Sequence, residues 1–197
     1  MLFDGEYSGR IIMPNSERDA MFVALRKLGY DANTTVKSEL IAAAELLKEQ
    51  KKDVQAYLLD EAARVKIESG NADIAVIYNG EAHLTFENND KLAFAIPEEG
   101  TCIWMDAFAI PKEAESKENA ELFLNFLCRE DIARMNFEYI YYSTPNKAVT
   151  ASLDAEILAE KAIFPDNSVY EKAEVFKYLG NEIEEYYAEL WKSIKSS

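Results

Sequence analysis

Short apolar runs alternate with amphipathic segments from the start of the chain, and that alternation restricts the fold more than any other feature. Residues 9–14 (GRIIMP), 53–59 (DVQAYLL) and 72–78 (ADIAVIY) read as buried strands, being short, aliphatic and bounded by turn residues. Proline stops the first of them. Asn15 or Ser16 then caps a helix through ERDAMFVALRKLGY, with Arg26 and Lys27 in its last turn and Gly29 closing it. A second helix is expected over about 36–52, capped by Thr34 or Thr35, with Leu40, Ala43, Ala44 and Leu47 as its apolar stripe. Asp60 is placed to cap a short third helix, EAARVKIES, ended by Gly70. Strand, helix and strand in strict succession, with no internal repeat and no Gly/Ser linker, give an α/β architecture.

Farther along, Asn79 and Gly80 open a brief helix toward Phe86. KLAFAIP (91–97) and a turn at 98–100 then lead into a long extended stretch, TCIWMDAFAIP (101–111). The texture changes after Pro111. Residues 116–140 read as two helices, followed by the loop YYSTPNK, and two more helices are expected near 152–161 and 180–195.

Charge removes several classes of partner. With 36 Asp+Glu against 21 Lys+Arg the formal net charge is −15 and the pI about 4.5. Nucleic acid and anionic lipid both require clustered basic residues, so neither is an expected partner. A negative field favours cationic ligands, although acidity also serves solubility alone. No apolar run reaches the ~18 residues of a membrane-spanning helix. The opening MLFDGEYSGR has neither a basic segment nor a hydrophobic one, so no secretion signal is expected within these residues. Cys102 and Cys128 sit in apolar contexts without a CxxC spacing and are expected to be two buried free thiols.

Catalytic signatures are missing. His83 is the only histidine and lies in no GxSxG or HExxH pattern, and neither GxxxxGK[ST] nor GxGxxG occurs. No catalytic residue, metal site or cofactor is therefore expected. The most suggestive residues are instead Trp104 and Asp106, which share a face of an extended segment because they are two apart. An indole attracts an alkylammonium through its ring quadrupole, and a carboxylate accepts its charged N–H groups. Ser16 and Asp19 lie just past the carboxyl end of the first strand and Tyr78 at the carboxyl end of the third, where parallel sheets open their ligand crevice. Asp19 has a second reading, as a first-turn acid that satisfies the helix dipole.

Five blocks in order, GRIIM, ALRKLGYDANTT, GNADIAVIYNGEA, AIPEEGTCIWMDAFAIPKEAESKENAELFLNFL and YYSTPNKAV, resemble the spermidine/putrescine-binding proteins of ABC importers over essentially the whole chain. The resemblance implies one lobe of a type II periplasmic-binding-protein-like fold, an α/β unit with a mixed, mostly parallel sheet flanked by helices. It implies capture of a polyamine such as spermidine or putrescine outside the cytoplasmic membrane, and delivery to an ABC permease without catalysis. Carried over by residue, Trp104 and Asp106 match the family's amine-holding aromatic and acid, and Asp19 resembles its second acid. Ser16 stands where some members have another aspartate. Tyr78 replaces a frequent tryptophan, and Phe176 falls near a polar contact of the family.

The same resemblance assigns 1–103 with 150–197 to a C-terminal lobe, with a family N-terminal lobe missing before it. Residues 104–149 are then a segment that crosses the hinge and packs on that missing lobe. Leu122, Phe123, Phe126, Leu127, Ile132, Met135 and Phe137 would lose their usual cover, so 104–149 is expected either to dock on its own lobe or to associate with another copy, as a homodimer or by a domain swap. Other readings remain open: a different cationic amine or amino-acid-like ligand, a small carboxylate-dependent hydrolase, or an interaction module built on the helices of 116–140.

Overall fold

In the computed structural model, which describes residues 1–197, the chain builds its main sheet around one strand. That strand, β1 (Ile11–Pro14), is buried throughout and pairs in parallel with β2 (Val54–Leu58) on one side and β3 (Ile74–Ala75) on the other. A strand covered on both faces carries no polar side chain, which is why IIMP shows no alternation. Ile11 and Met13 point into one layer and Ile12 into the other, as the two-residue period requires.

The first layer comprises α1 (Glu17–Lys27), α2 (Lys37–Gln50) and α10 (Asn181–Ser196). Ala20, Met21, Ala24 and Leu25 of α1 meet Leu40, Ala43, Ala44 and Leu47 of α2, and Tyr187, Trp191 and Ile194 of α10 close the cluster. Four alanines at these contacts let the helices approach closely. The second layer is thinner: Ala63 and Ile67 of α3 (Asp60–Glu68) pack with Ala72 on Ile12.

Ser16 caps α1, its hydroxyl accepting the Asp19 N–H at 3.4 Å, and Gly29 turns the chain at φ +77° while Tyr30 N–H donates to Leu25 O at 2.9 Å. The expected cap of α2 moves by one or two residues: Val36 is the boundary residue, and the Thr34 hydroxyl accepts the Val36 N–H at 3.1 Å instead. Asp60 is not a cap either. Leu59 holds that place, and Asp60 is the first helical residue, in the left-handed region at φ +48°.

Past α4 (Asn79–Asn88) the structure departs further from expectation. Of 72–78 only Ile74 and Ala75 are strand, flanked by Asp73 N–H and Val76 N–H donating to Arg10 O and Ile12 O at 2.9 and 3.0 Å; residues 91–97 form no strand, and of 101–111 only β4 (Cys102–Ile103) is strand. Its partner is β5 (Glu174–Val175), which follows the short α9 (Asn167–Lys172) and forms a separate two-stranded sheet. Every pairing in the molecule is parallel, so the expected single mixed sheet is in fact two small parallel ones. Arg26, at the end of α1, fastens the second sheet: Nε and Nη2 donate to Glu99 O at 2.9 and 2.6 Å, and Nη1 pairs with Glu174.

The segment 104–149 contains α5 (Lys117–Leu127) and α6 (Glu130–Ile140). One of its apolar residues is covered by the chain itself. Phe137 packs on Val149 of α7 (Lys147–Ser152) and on Leu153 and Ile163. The helix expected near 152–161 is split, α7 ending at Ser152 and α8 running over Ala155–Ala159. Cys102 is half-buried, but Cys128, at the end of α5, is exposed rather than buried; both are free. No helix is long and apolar enough to cross a membrane.

Candidate functional site

Strand order β2–β1–β3 puts the carboxyl ends of three adjacent parallel strands on one edge, a few ångströms apart. Each end leads into a helix whose first residues carry a polar or aromatic group: Asp60 after β2, Ser16 and Asp19 after β1, Tyr78 after β3. Tyr78 is the boundary residue of α4, and its hydroxyl donates to Asp19 Oδ2 at 3.1 Å. That bond joins the starts of α1 and α4 across the edge.

Trp104 reaches the same place from the second sheet, directly after β4. Its ring lies 5.1 Å from that of Tyr78, tilted by 58°, and 5.9 Å from that of Tyr142, edge to face at 69°. Trp104 remains 40% exposed, so much of the indole faces solvent. Asp106 is exposed two residues on, and its charge acts on the Tyr142 hydroxyl. Thus Tyr78, Trp104 and Tyr142 form a cluster of three rings, with Asp19, Asp60 and Asp106 around it.

The electrostatics of the two phenols report these acids. Burial, then the Tyr78–Asp19 contact and the charge of Asp60, push the Tyr78 hydroxyl well above its ordinary pKa. Burial, together with Glu81, Asp60 and Asp106, pushes Tyr142 up to about 12. Both phenols therefore stay neutral. Burial and Asp19 likewise raise the Cys102 thiol to about 11, so it is an unreactive wall residue.

The acids differ in whether a basic group already occupies them. Glu81 is held by Arg64 at 2.8 Å, and Arg64 also bonds Glu68 at 3.0 Å. Arg18, next to Asp19 in sequence, is drawn away onto the rings of Phe176 and Tyr187 at 4.8 and 5.0 Å and to Glu184 at 3.3 Å. Asp19, Asp60 and Asp106 form no ion pair with a basic side chain. Three unneutralised carboxylates beside three aromatic faces make an arrangement suited to a cation carrying methylene groups.

Of the residues singled out from sequence, Asp19, Tyr78, Trp104 and Asp106 are brought to this edge. Ser16 is there too, but its hydroxyl oxygen already serves the α1 cap. Phe176 packs edge-on to Phe22 at 5.7 Å and carries the Arg18 guanidinium over its ring. Sequence reasoning missed Tyr142 and Asp60. A tyrosine pair in a loop carries no local signal, whereas Asp60 was legible as the first polar residue after a strand and was read only as a cap. Two concavities elsewhere, beside Phe3 and Gln50 and beside Ile96 and Lys172, lie away from this cluster, which is an open shelf.

A family model described as bacterial extracellular solute-binding protein matches residues 2–165. The spermidine/putrescine-binding periplasmic protein of Salmonella typhimurium is 36% identical over 192 residues, covering 96% of this chain and 55% of that protein. The putrescine-binding periplasmic protein PotF of Escherichia coli is 25% identical over 189 residues, covering 92% of this chain and 51% of that protein. Among solved structures, one assigned to the spermidine/putrescine ABC transporters of Listeria monocytogenes superposes with a TM-score of 0.91 at 34% identity, over 98% of this chain and 60% of its own. The spermidine/putrescine substrate-binding protein PotD of Streptococcus pneumoniae gives a TM-score of 0.83 at 28% identity, over 99% of this chain and 60% of its own. The chain thus spans about half the length of the curated relatives it matches.

Proposed function

Because the chain belongs to the bacterial extracellular solute-binding proteins, we propose that its edge of three rings and three unpaired carboxylates is half of a polyamine clamp. The observation carrying this reading is the convergence of Tyr78, Trp104 and Tyr142 with Asp19, Asp60 and Asp106 on one sheet edge. The methylene chain of spermidine or putrescine lies along the aromatic faces, and its ammonium groups meet the carboxylates. Ser16 offers its remaining lone pair at the rim.

Physical chemistry accounts for a two-part clamp. On an open shelf each ion pair is screened by water and worth little, about 0–1 kcal/mol. A second lobe that closes over the ligand excludes that water and strengthens every pair at once. In this reading, residues 1–103 and 150–197 are one lobe, and 104–149 packs against the other. The apolar face of α5 and α6 supports it: Leu122, Phe123 and Met135 are 67%, 56% and 66% exposed. The closed protein works outside the cytoplasmic membrane and hands its ligand to an ABC permease, as the names of its relatives suggest.

Isothermal titration of spermidine and putrescine into the full-length protein and into this 197-residue chain tests the proposal. Tight binding by the first, and binding weaker by about two orders of magnitude by the second, is expected. Absence of binding by both would overturn the polyamine reading.

A further inference from the structure

Tyr142 is the one ring of the site that comes from outside the three strand ends, and the structure shows what seats it. At Gly80, in the first turn of α4, an added Cβ would lie 2.6 Å from Ile140 O and 2.6 Å from Tyr142 Cδ2. Real Cβ atoms do not approach so closely. Only glycine lets residues 140–142 lie against α4 there, and no positive φ is involved, so space alone makes the requirement.

One turn farther on the same face of α4, the His83 ring lies on that of Tyr141, with centroids 4.2 Å apart and planes 37° from parallel. Its Nδ1 is buried without a hydrogen-bond partner. The packed ring, rather than a polar contact at that nitrogen, is what the histidine contributes. Tyr141 itself ends α6 in the left-handed region, at φ +52° and ψ +28°, with its N–H donated to Phe137 O at 2.8 Å. A large aromatic residue adopts that conformation only when its surroundings hold it. His83 on one side and Phe137, 5.9 Å away edge to face, on the other supply the hold. The reversal at Tyr141 is what carries Tyr142 back to Trp104.

We propose that Gly80 and His83 are positioning residues that latch the 140–142 turn onto α4 and so set Tyr142 as the third wall of the cation site. Helix α4 thereby sets two walls, presenting Tyr78 at its own start and seating Tyr142 one turn along. This inference rests on the polyamine reading for its ligand, but its geometry does not depend on ligand identity. It also gives the single histidine a role that is neither catalytic nor ligating.

The test uses the full-length protein carrying Gly80→Ala, Tyr142→Ala or both. Alanine is the better helix former, so without the close approach Gly80→Ala would leave binding unchanged and the helix firmer. The latch instead gives about a tenfold loss of spermidine affinity in each single variant. The double variant should be no weaker than Tyr142→Ala alone, within about twofold, because a misplaced wall and an absent wall are equivalent. Parent-like binding by Gly80→Ala, or a loss that adds in full to that of Tyr142→Ala, overturns the latch. A second readout needs no ligand. In the 197-residue chain carrying Trp191→Phe, where Trp104 is the remaining indole, Gly80→Ala and Tyr142→Ala should shift the emission to the red alike; an unshifted Gly80→Ala spectrum overturns the latch. Failure of the parent to bind any polyamine would overturn the ligand reading while this spectral comparison still judges the latch. Should Gly80→Ala not fold, His83→Leu removes the ring stack without a clash; about a threefold loss of affinity supports the latch, and none overturns it.

Discussion

Two regions of this chain carry similar apolar patterns and meet opposite fates. Around β1, Ile11, Ile12, Met13, Met21, Leu25, Leu40 and Leu47 are wholly buried, because helices from both ends of the sequence cover both faces of the sheet. In α5 no residue is buried, although Leu122, Phe123, Phe126 and Leu127 recur at helical spacing. The sheet supplies its own cover and the helical hairpin does not. Amphipathic periodicity thus states that a face is to be covered, without stating by what. The part of α6 that the chain can reach, Phe137 against Val149, Leu153 and Ile163, does form a small core.

The largest test of this contrast is a truncation on each side. Ile11→Ala should lower stability by about 2–5 kcal/mol, since deleting buried methyl and methylene groups beneath two layers leaves a cavity. Urea denaturation of this chain measures it. A loss below about 1 kcal/mol would mean that the sheet is not the structural centre described here.

Trp104→Ala comes next and separates core from site. The indole is 40% exposed and makes ring contacts only with Tyr78 and Tyr142, so the melting temperature should stay within a few degrees. Spermidine affinity of the full-length protein should fall roughly 30-fold, about 2 kcal/mol, the scale of a desolvated cation–π contact. A large fall in melting temperature with intact binding would make Trp104 a core residue instead.

Asp60 offers a smaller effect with two signs. Its φ of +48° is uncomfortable for a residue with a Cβ, so Asp60→Gly should stabilise the fold by up to about 1 kcal/mol. The same change removes a carboxylate from the shelf and should weaken spermidine binding several-fold, as titration would show. Stability and affinity moving together in either direction would argue against strain being kept there for the ligand's sake.

Smallest of all, Leu122→Ser should change the stability of this chain by less than about 0.5 kcal/mol, because the side chain is 67% exposed. In the full-length protein the same substitution should be clearly destabilising, and light scattering should show less self-association of the 197-residue chain. An equal, negligible effect in both would remove the argument that α5 docks on the other half.

Much of the lobe was legible along the chain. Pro14, Ser16 and Gly29 bound the first strand and helix through local backbone chemistry, and the stripe of α2 was read residue for residue. Length was harder: 72–78 reads as a full strand, yet the regular strand is Ile74–Ala75 with one further backbone bond on each side, to Arg10 and to Ile12, since strand extent depends on what lies alongside. At the site, Asp19, Tyr78, Trp104 and Asp106 were named because strand ends and residue types are local facts. Asp60 is not the cap that its type and place suggest, because the chain turns into α3 one residue earlier, at Leu59.

The sequence by itself therefore determined β1, β2 and the helices that cover them, the acidic charge, and which strand ends carry acids and rings. Only the tertiary structure decided which of these meet. Tyr142 joins Trp104 through a left-handed turn at Tyr141, a conformation no residue there favours, held by a glycine and a histidine about 60 positions earlier. Local preference is set by neighbours in the chain, whereas a binding wall is set by packing between distant segments. That packing overrides preference wherever contacts exceed the cost of one strained residue.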